Sequence, residues 1–154
     1  MKSIRVTKYN PQNSDEEGLY TLLDEWTSIS DVGKMYHGQI FTMEQYLVAE
    51  EKYIRAVRLL MQKTSVNQLK LLDLENHSYK TALNLSEGKT IPISLVSELV
   101  KMILREEVWE RLVAKNQFEI HFGYDYYMYF IGKNLTEYII EELRKIDGLY
   151  VEDV

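Results

Sequence analysis

The sequence predicts an α+β fold, a mainly antiparallel sheet packed with about three main helices. Two patterns and their order predict it. Apolar residues recur at helical spacing in three separate segments, and short alternating or β-prone runs stand between them. The helices and hairpins come in blocks rather than in strict β-α-β order, which disfavours a parallel sheet.

Ser3 to Tyr9 reads as the first strand, with Ile4 and Val6 on one face, and Asn10-Pro11 closes it. Residues 15–41 read as short helix, loop and turn around a buried Trp26; so long a stretch without regular structure is often functional. The first helix is expected over 42–63. Thr42 caps it, Gln45 completes a capping box, and Met43, Tyr46, Leu47, Tyr53, Ile54, Val57, Leu60 and Met61 form its stripe. Glu50 falls inside that stripe, so its carboxylate needs water, a donor or a partner.

Gln68–Glu75 and Tyr79–Leu85 suggest two strands joined around Asn76-His77-Ser78. A second helix is expected from about 93 to Lys115, with Pro92 near its start and Ser94 able to cap it. The stretch Arg105-Glu106-Glu107 is where it can bend or divide. Gln117–Gly123 alternates cleanly, and Tyr126–Ile131 is β-prone and aromatic. Gly123-Tyr124-Asp125 between them fits either a tight hairpin or a bulge in one long strand. Asn134 is expected to cap a last helix near 135–147, with Glu137 three residues on and Leu135, Tyr138, Ile139, Leu143 and Ile146 buried. Gly148 stops that helix, and Leu149–Glu152 can add a final strand.

At 154 residues the chain is expected to be a single domain, 1–154. A core of that size needs no disulfide or metal staple. The chain has no cysteine, which removes disulfides, thiolate zinc sites and cysteine nucleophiles. Its net charge of -6 disfavours generic binding to nucleic acid or anionic lipid. The start has no signal-peptide pattern and no apolar run approaches a membrane span, so a cytoplasmic location is expected.

No nucleotide, zinc-protease, hydrolase or calcium motif occurs, so no cofactor and no metal are expected. His37, His77 and His121 show no ligand spacing. His121 shares a strand face with Glu119, and Asp125 follows the turn. These three could form an acid–base site, but a solvated strand face accounts for them with fewer assumptions. Asp24, Glu25 and Asp31 beside Ser28, Ser30 and Lys34 imitate a hydrolytic site; a polar loop explains them as well. The run Tyr124–Phe130 holds four of the chain's 12 tyrosines. Core packing accounts for alternate residues, not easily for tyrosine on both faces, so one face is a candidate recognition surface.

Several blocks resemble a family of small bacterial immunity proteins. They are Lys8-Tyr9-Asn10-Pro11, then Gly18-Leu19-Tyr20, then Asp24 to Lys34, then Tyr46 to Ile54, then Ile103 to Trp109 followed by His121 to Tyr129. Members are encoded beside polymorphic or contact-dependent growth inhibition toxins, some of the EndoU-like ribonuclease type. The resemblance implies binding rather than turnover: a cytoplasmic protein, not an enzyme, that neutralises a cognate toxin domain, expected to be a basic nuclease. The acidic charge would complement such a partner. The expected contacts are Tyr124, Asp125, Tyr127, Tyr129, Glu119 and Asp31. Two other readings stay open, a regulatory or adaptor domain and a small enzyme using His121 with Glu119 and Asp125.

Overall fold

The computed structural model describes residues 1–13, 25–76 and 83–154. Strand β1 (Lys2–Thr7) buries Ile4 and Val6, as its alternation predicts. Residues 25–41 hold one 3-10 turn at Ile29–Asp31 and a two-stranded ribbon of β2 (Met35–Tyr36) and β3 (Gln39–Ile40). Trp26 is half-buried rather than fully buried. Its ring stacks on Phe41 at 4.6 Å and meets Tyr46 and Tyr126 edge-on at 5.7 and 5.3 Å.

Helix α1 (Met43–Lys63) begins as expected. The Thr42 hydroxyl accepts from the Gln45 N–H at 3.2 Å, and the Gln45 side chain accepts from the Thr42 N–H at 3.0 Å. Its buried face runs from Tyr46 onward, while Met43 and Leu47 are exposed. Strand β4 (Gln68–Asn76) follows. Its neighbours differ from the expected hairpin: it lies between β5 (Thr90–Pro92) and β6 (Val108–Ala114). Of the expected second strand, 79–82 lie outside the described residues, and Leu83–Leu85 are not in a strand.

The second helix is the main correction. Helix α2 covers Ile93–Leu104 only, with Pro92 at its N-cap and no side-chain cap, so Ser94 lies inside the helix. Glu106 then takes a left-handed φ of 62°. Its N–H bonds to Ile103 O at 3.0 Å, and the Glu107 N–H bonds to Met102 O at 2.9 Å. This pair is a Schellman stop, with glutamate where glycine is usual. From Val108 the chain is a strand, burying Val108, Glu110, Leu112 and Ala114. A glutamate at one inward position hid the period of two, and the apolar residues left over imitated a helical stripe.

Strands β7 (Phe118–Phe122) and β8 (Met128–Gly132) form a hairpin, which resolves the hairpin-or-bulge alternative. Helix α3 (Glu137–Arg144) is capped by Thr136, whose hydroxyl accepts from the Ile139 N–H at 3.3 Å. Asn134 is not the cap; its amide donates to the Gln117 side chain at 2.8 Å. The start moves two residues along the chain, which turns Tyr138 outward to 60% exposure. Strand β9 (Tyr150–Asp153) closes the sheet against β1.

The sheet has seven strands in the order β5-β4-β6-β7-β8-β1-β9, every neighbouring pair antiparallel. Helix α1 packs on both α2 and α3. The buried faces of the helices join the inward residues of the strands in one apolar cluster. The opposite face of the sheet carries half-exposed residues.

Candidate functional site

Residues 123–127 connect β7 to β8 and turn the chain at 124–127. Asp125 and Tyr126 take φ of 58° and 70°, and the Tyr127 N–H bonds to Tyr124 O at 3.2 Å. Two successive left-handed residues define the primed hairpin turn that suits twisted strands, usually built from Asn-Gly. A tyrosine there costs about 1–2 kcal/mol in backbone strain.

Packing holds the turn in place. The Tyr126 ring is buried, edge-on to Tyr53 at 5.6 Å, and its hydroxyl donates to the Tyr46 oxygen at 2.9 Å. The Tyr53 hydroxyl donates to Tyr126 O at 2.8 Å, and the Tyr9 hydroxyl donates to Asp125 O at 2.6 Å. Beneath them lies Glu50, 1% exposed. The Tyr46 hydroxyl donates to it at 2.6 Å, and Arg105 donates to both of its oxygens at 2.8 and 2.7 Å. The partner that the apolar stripe demanded is thus a forked guanidinium at the end of α2. Burial, then the bond to Glu50, pushes the Tyr46 phenol well above its usual range.

Between this turn and the α2–β6 junction lies a cavity of about 650 Å³. Ile103, Leu104, Val108 and Phe122 supply apolar wall. Trp109, Tyr124 and Tyr127 supply aromatic rings, and Glu75, Glu106 and Asp125 supply carboxylates. The Trp109 indole donates to Phe122 O at 2.8 Å, which fixes its ring. Tyr127 stacks on Tyr9 at 5.4 Å. Tyr124 stands at the tip, 91% exposed.

The cavity opens at one end of the outward sheet face. Across that face the strand registers align Leu72, Arg111, His121, Tyr129, Arg5 and Glu152 in one row. Its charges are paired. Arg111 donates to both Glu119 oxygens at 3.0 Å and to Asp73 at 3.0 Å, and Arg5 donates to Glu152 at 2.8 Å. The His121 ring meets Glu119 at 2.7 Å. That contact and the Arg111 guanidinium hold the Glu119 carboxyl below its ordinary value.

Among the residues expected from sequence, Tyr124, Asp125 and Tyr127 line the cavity, while Glu119 and Tyr129 lie on the adjoining sheet face. Asp31 has a separate job. Its carboxylate accepts from the Thr27 N–H at 2.9 Å and pairs with Lys34 at 2.9 Å, fastening the loop beside Trp26. The imitation hydrolytic trio is dispersed: Glu25 pairs with Lys8, Asp31 serves the loop, and Asp24 lies outside the described residues. The acid–base trio converges only in part. His121 and Glu119 touch, but Asp125 bonds to neither among the described residues. Sequence reasoning missed Glu106 and Trp109: it allows a bend or division at Arg105-Glu106-Glu107 but carries helix on to Lys115, whereas the chain is a strand from Val108.

Among the described residues no three His, Cys, Asp or Glu side chains form a metal-binding group, and no helix is long and apolar enough to cross a membrane. Compared with known proteins, the chain matches no family model, no curated protein and no solved structure at a significant level.

Proposed function

We propose that this chain is an immunity protein: it binds a cognate toxin domain, a basic nuclease, in the cytoplasm and neutralises it by occlusion rather than by turnover. The observation that carries the reading is the combined surface at one end of the sheet. There an exposed tyrosine tip, an aromatic pocket and the carboxylates of Glu106 and Asp125 adjoin a half-exposed strand face. Aromatic residues in a desolvated pocket supply most of the affinity in protein complexes, and acidic groups speed encounter with a basic partner. The likeness of six sequence blocks to immunity proteins supports the same reading. On the outward face Arg5 is already paired with Glu152, and Arg111 with Asp73 and Glu119, which suits a rigid, preformed docking face.

The test is co-expression with the toxin domain encoded beside it. Survival of the cells, together with a 1:1 complex on purification, is the expected result. Killing despite abundant folded protein would refute the reading.

A further inference from the structure

We infer that the cavity between the α2–β6 junction and the β7–β8 turn receives an arginine side chain of the protein partner. The inference rests on the reading of the chain as a protein-binding inhibitor and names the chemistry at the centre of its contact. Three features of the cavity converge on a cation with an apolar stem. Its floor is aliphatic and aromatic, so it gains from burying methylenes. Its walls carry the rings of Trp109 and Tyr124, which attract a cation over their faces, and that of Tyr127, which already stacks on Tyr9 and holds Arg5 at 5.5 Å. Glu106 and Asp125 stand in its lining, and neither carboxylate has a hydrogen-bond or ion-pair partner among the described residues.

Charge complementarity decides the sign. Among the described residues no Lys, Arg or His lines the cavity. The cations nearby are committed elsewhere. Arg105 is forked onto Glu50, and Lys8 donates to Glu25 and to the Trp26 carbonyl at 2.7 Å each. Arg5 already stands over the Tyr127 ring at 5.5 Å and Lys8 lies within electrostatic reach of Asp125, so an entering cation is drawn chiefly to the Trp109 and Tyr124 rings and to Glu106. The planar guanidinium suits the site better than an ammonium, because it stacks on aromatic faces and can bond two carboxylates through one rigid fork. A volume of about 650 Å³ exceeds what one side chain fills, so the occupant is an arginine on a partner loop that brings its flanking residues with it.

The experiment uses the full chain and two small probes, N-acetyl-arginine methylamide and its uncharged citrulline counterpart. The two tryptophans report separately by their indole N–H resonances, Trp109 in the cavity wall and Trp26 outside it. The arginine probe is expected to shift the Trp109 resonance saturably at millimolar concentration and to leave Trp26 in place. The citrulline probe should bind about tenfold more weakly. The double substitution Glu106→Gln with Asp125→Asn should abolish the difference; asparagine tolerates the left-handed turn position, so the fold is kept. Equal response to both probes, response at Trp26 alone, or no saturable response would each overturn the inference.

The same double variant is then measured against the toxin domain. A loss of about tenfold or more in affinity, with weaker salt dependence, is expected. Unchanged affinity would overturn the arginine site and leave the immunity function standing. Absence of any complex with the unaltered chain would overturn the immunity function, and the probe titration would then decide the cavity by itself.

Discussion

Glu110 is 0% exposed, and neither of its carboxyl oxygens has a hydrogen-bond partner among the described residues. Burial pushes its pKa up to about 8. A carboxyl whose folded pKa is raised binds more protons folded than unfolded, so stability falls as pH rises between the two values. The cost is absent below about pH 4.5, grows through the window, and reaches on the order of 4 kcal/mol at pH 8. Against a typical total of about 5–15 kcal/mol this is a large term. Glu110→Met should stabilise the protein, and by more at pH 8 than at pH 5. Urea unfolding at the two pH values checks it; an equal gain at both would show that the buried charge is not the cause. Glu50 is the contrasting case, a buried carboxylate whose partners are complete. Arg105→Met would leave it buried without its counter-ion and should cost about 3–5 kcal/mol. Loss below about 1 kcal/mol in the same unfolding assay would contradict that assignment.

At the scale of elements, legibility followed the strength of the local signal. Helix α1 was readable to its cap because Thr42 and Gln45 state the capping box and the stripe behind them spans 21 residues. Strand β7 was readable because every inward residue is apolar and every outward one polar. The stop after α2 was hidden because its left-handed residue is Glu106 rather than glycine, and β6 was hidden by Glu110. The primed turn was hidden in the same way by Asp125-Tyr126. Backbone strain and tertiary packing supplied what the residues themselves did not advertise. Glu106→Gly should therefore relax the Schellman stop and raise stability by about 0.5–1 kcal/mol, while weakening the proposed cation site. A variant that loses stability would show that the glutamate side chain, not the left-handed backbone, dominates at that position. Thr42→Ala should cost about 1 kcal/mol through the lost cap, a change visible in thermal unfolding.

Across the whole molecule, Gly18-Leu19-Tyr20 lies outside the described residues, while several of the other sequence blocks that suggested an immunity protein meet at one place. Tyr9, Tyr46, Tyr53, Arg105 and Tyr126 are tied together by hydrogen bonds and ring contacts under the β7–β8 turn. The same turn presents Tyr124, Asp125 and Tyr127 to the cavity. The candidate cluster was thus legible as residues, while its partition was not. Tyr126 is a buried fastener, Tyr124 an exposed tip, and Asp31 a loop clamp some distance along the chain. Burial is what separates them, and alternation alone does not report burial through a turn. Tyr124→Ala should leave thermal stability unchanged and weaken toxin binding by about 2 kcal/mol, mostly through faster dissociation. Tyr126→Ala should instead lower stability first, because it empties a buried ring site and cuts the Tyr46 bond.

The central claim is stoichiometric neutralisation of a nuclease toxin. It is tested most directly by titrating this protein into the purified toxin domain and measuring residual RNA cleavage. The account predicts a linear fall in activity that reaches baseline at one equivalent, with the Tyr124→Ala protein giving a shallower, curved titration. Nuclease activity that persists at several equivalents of folded protein would contradict it.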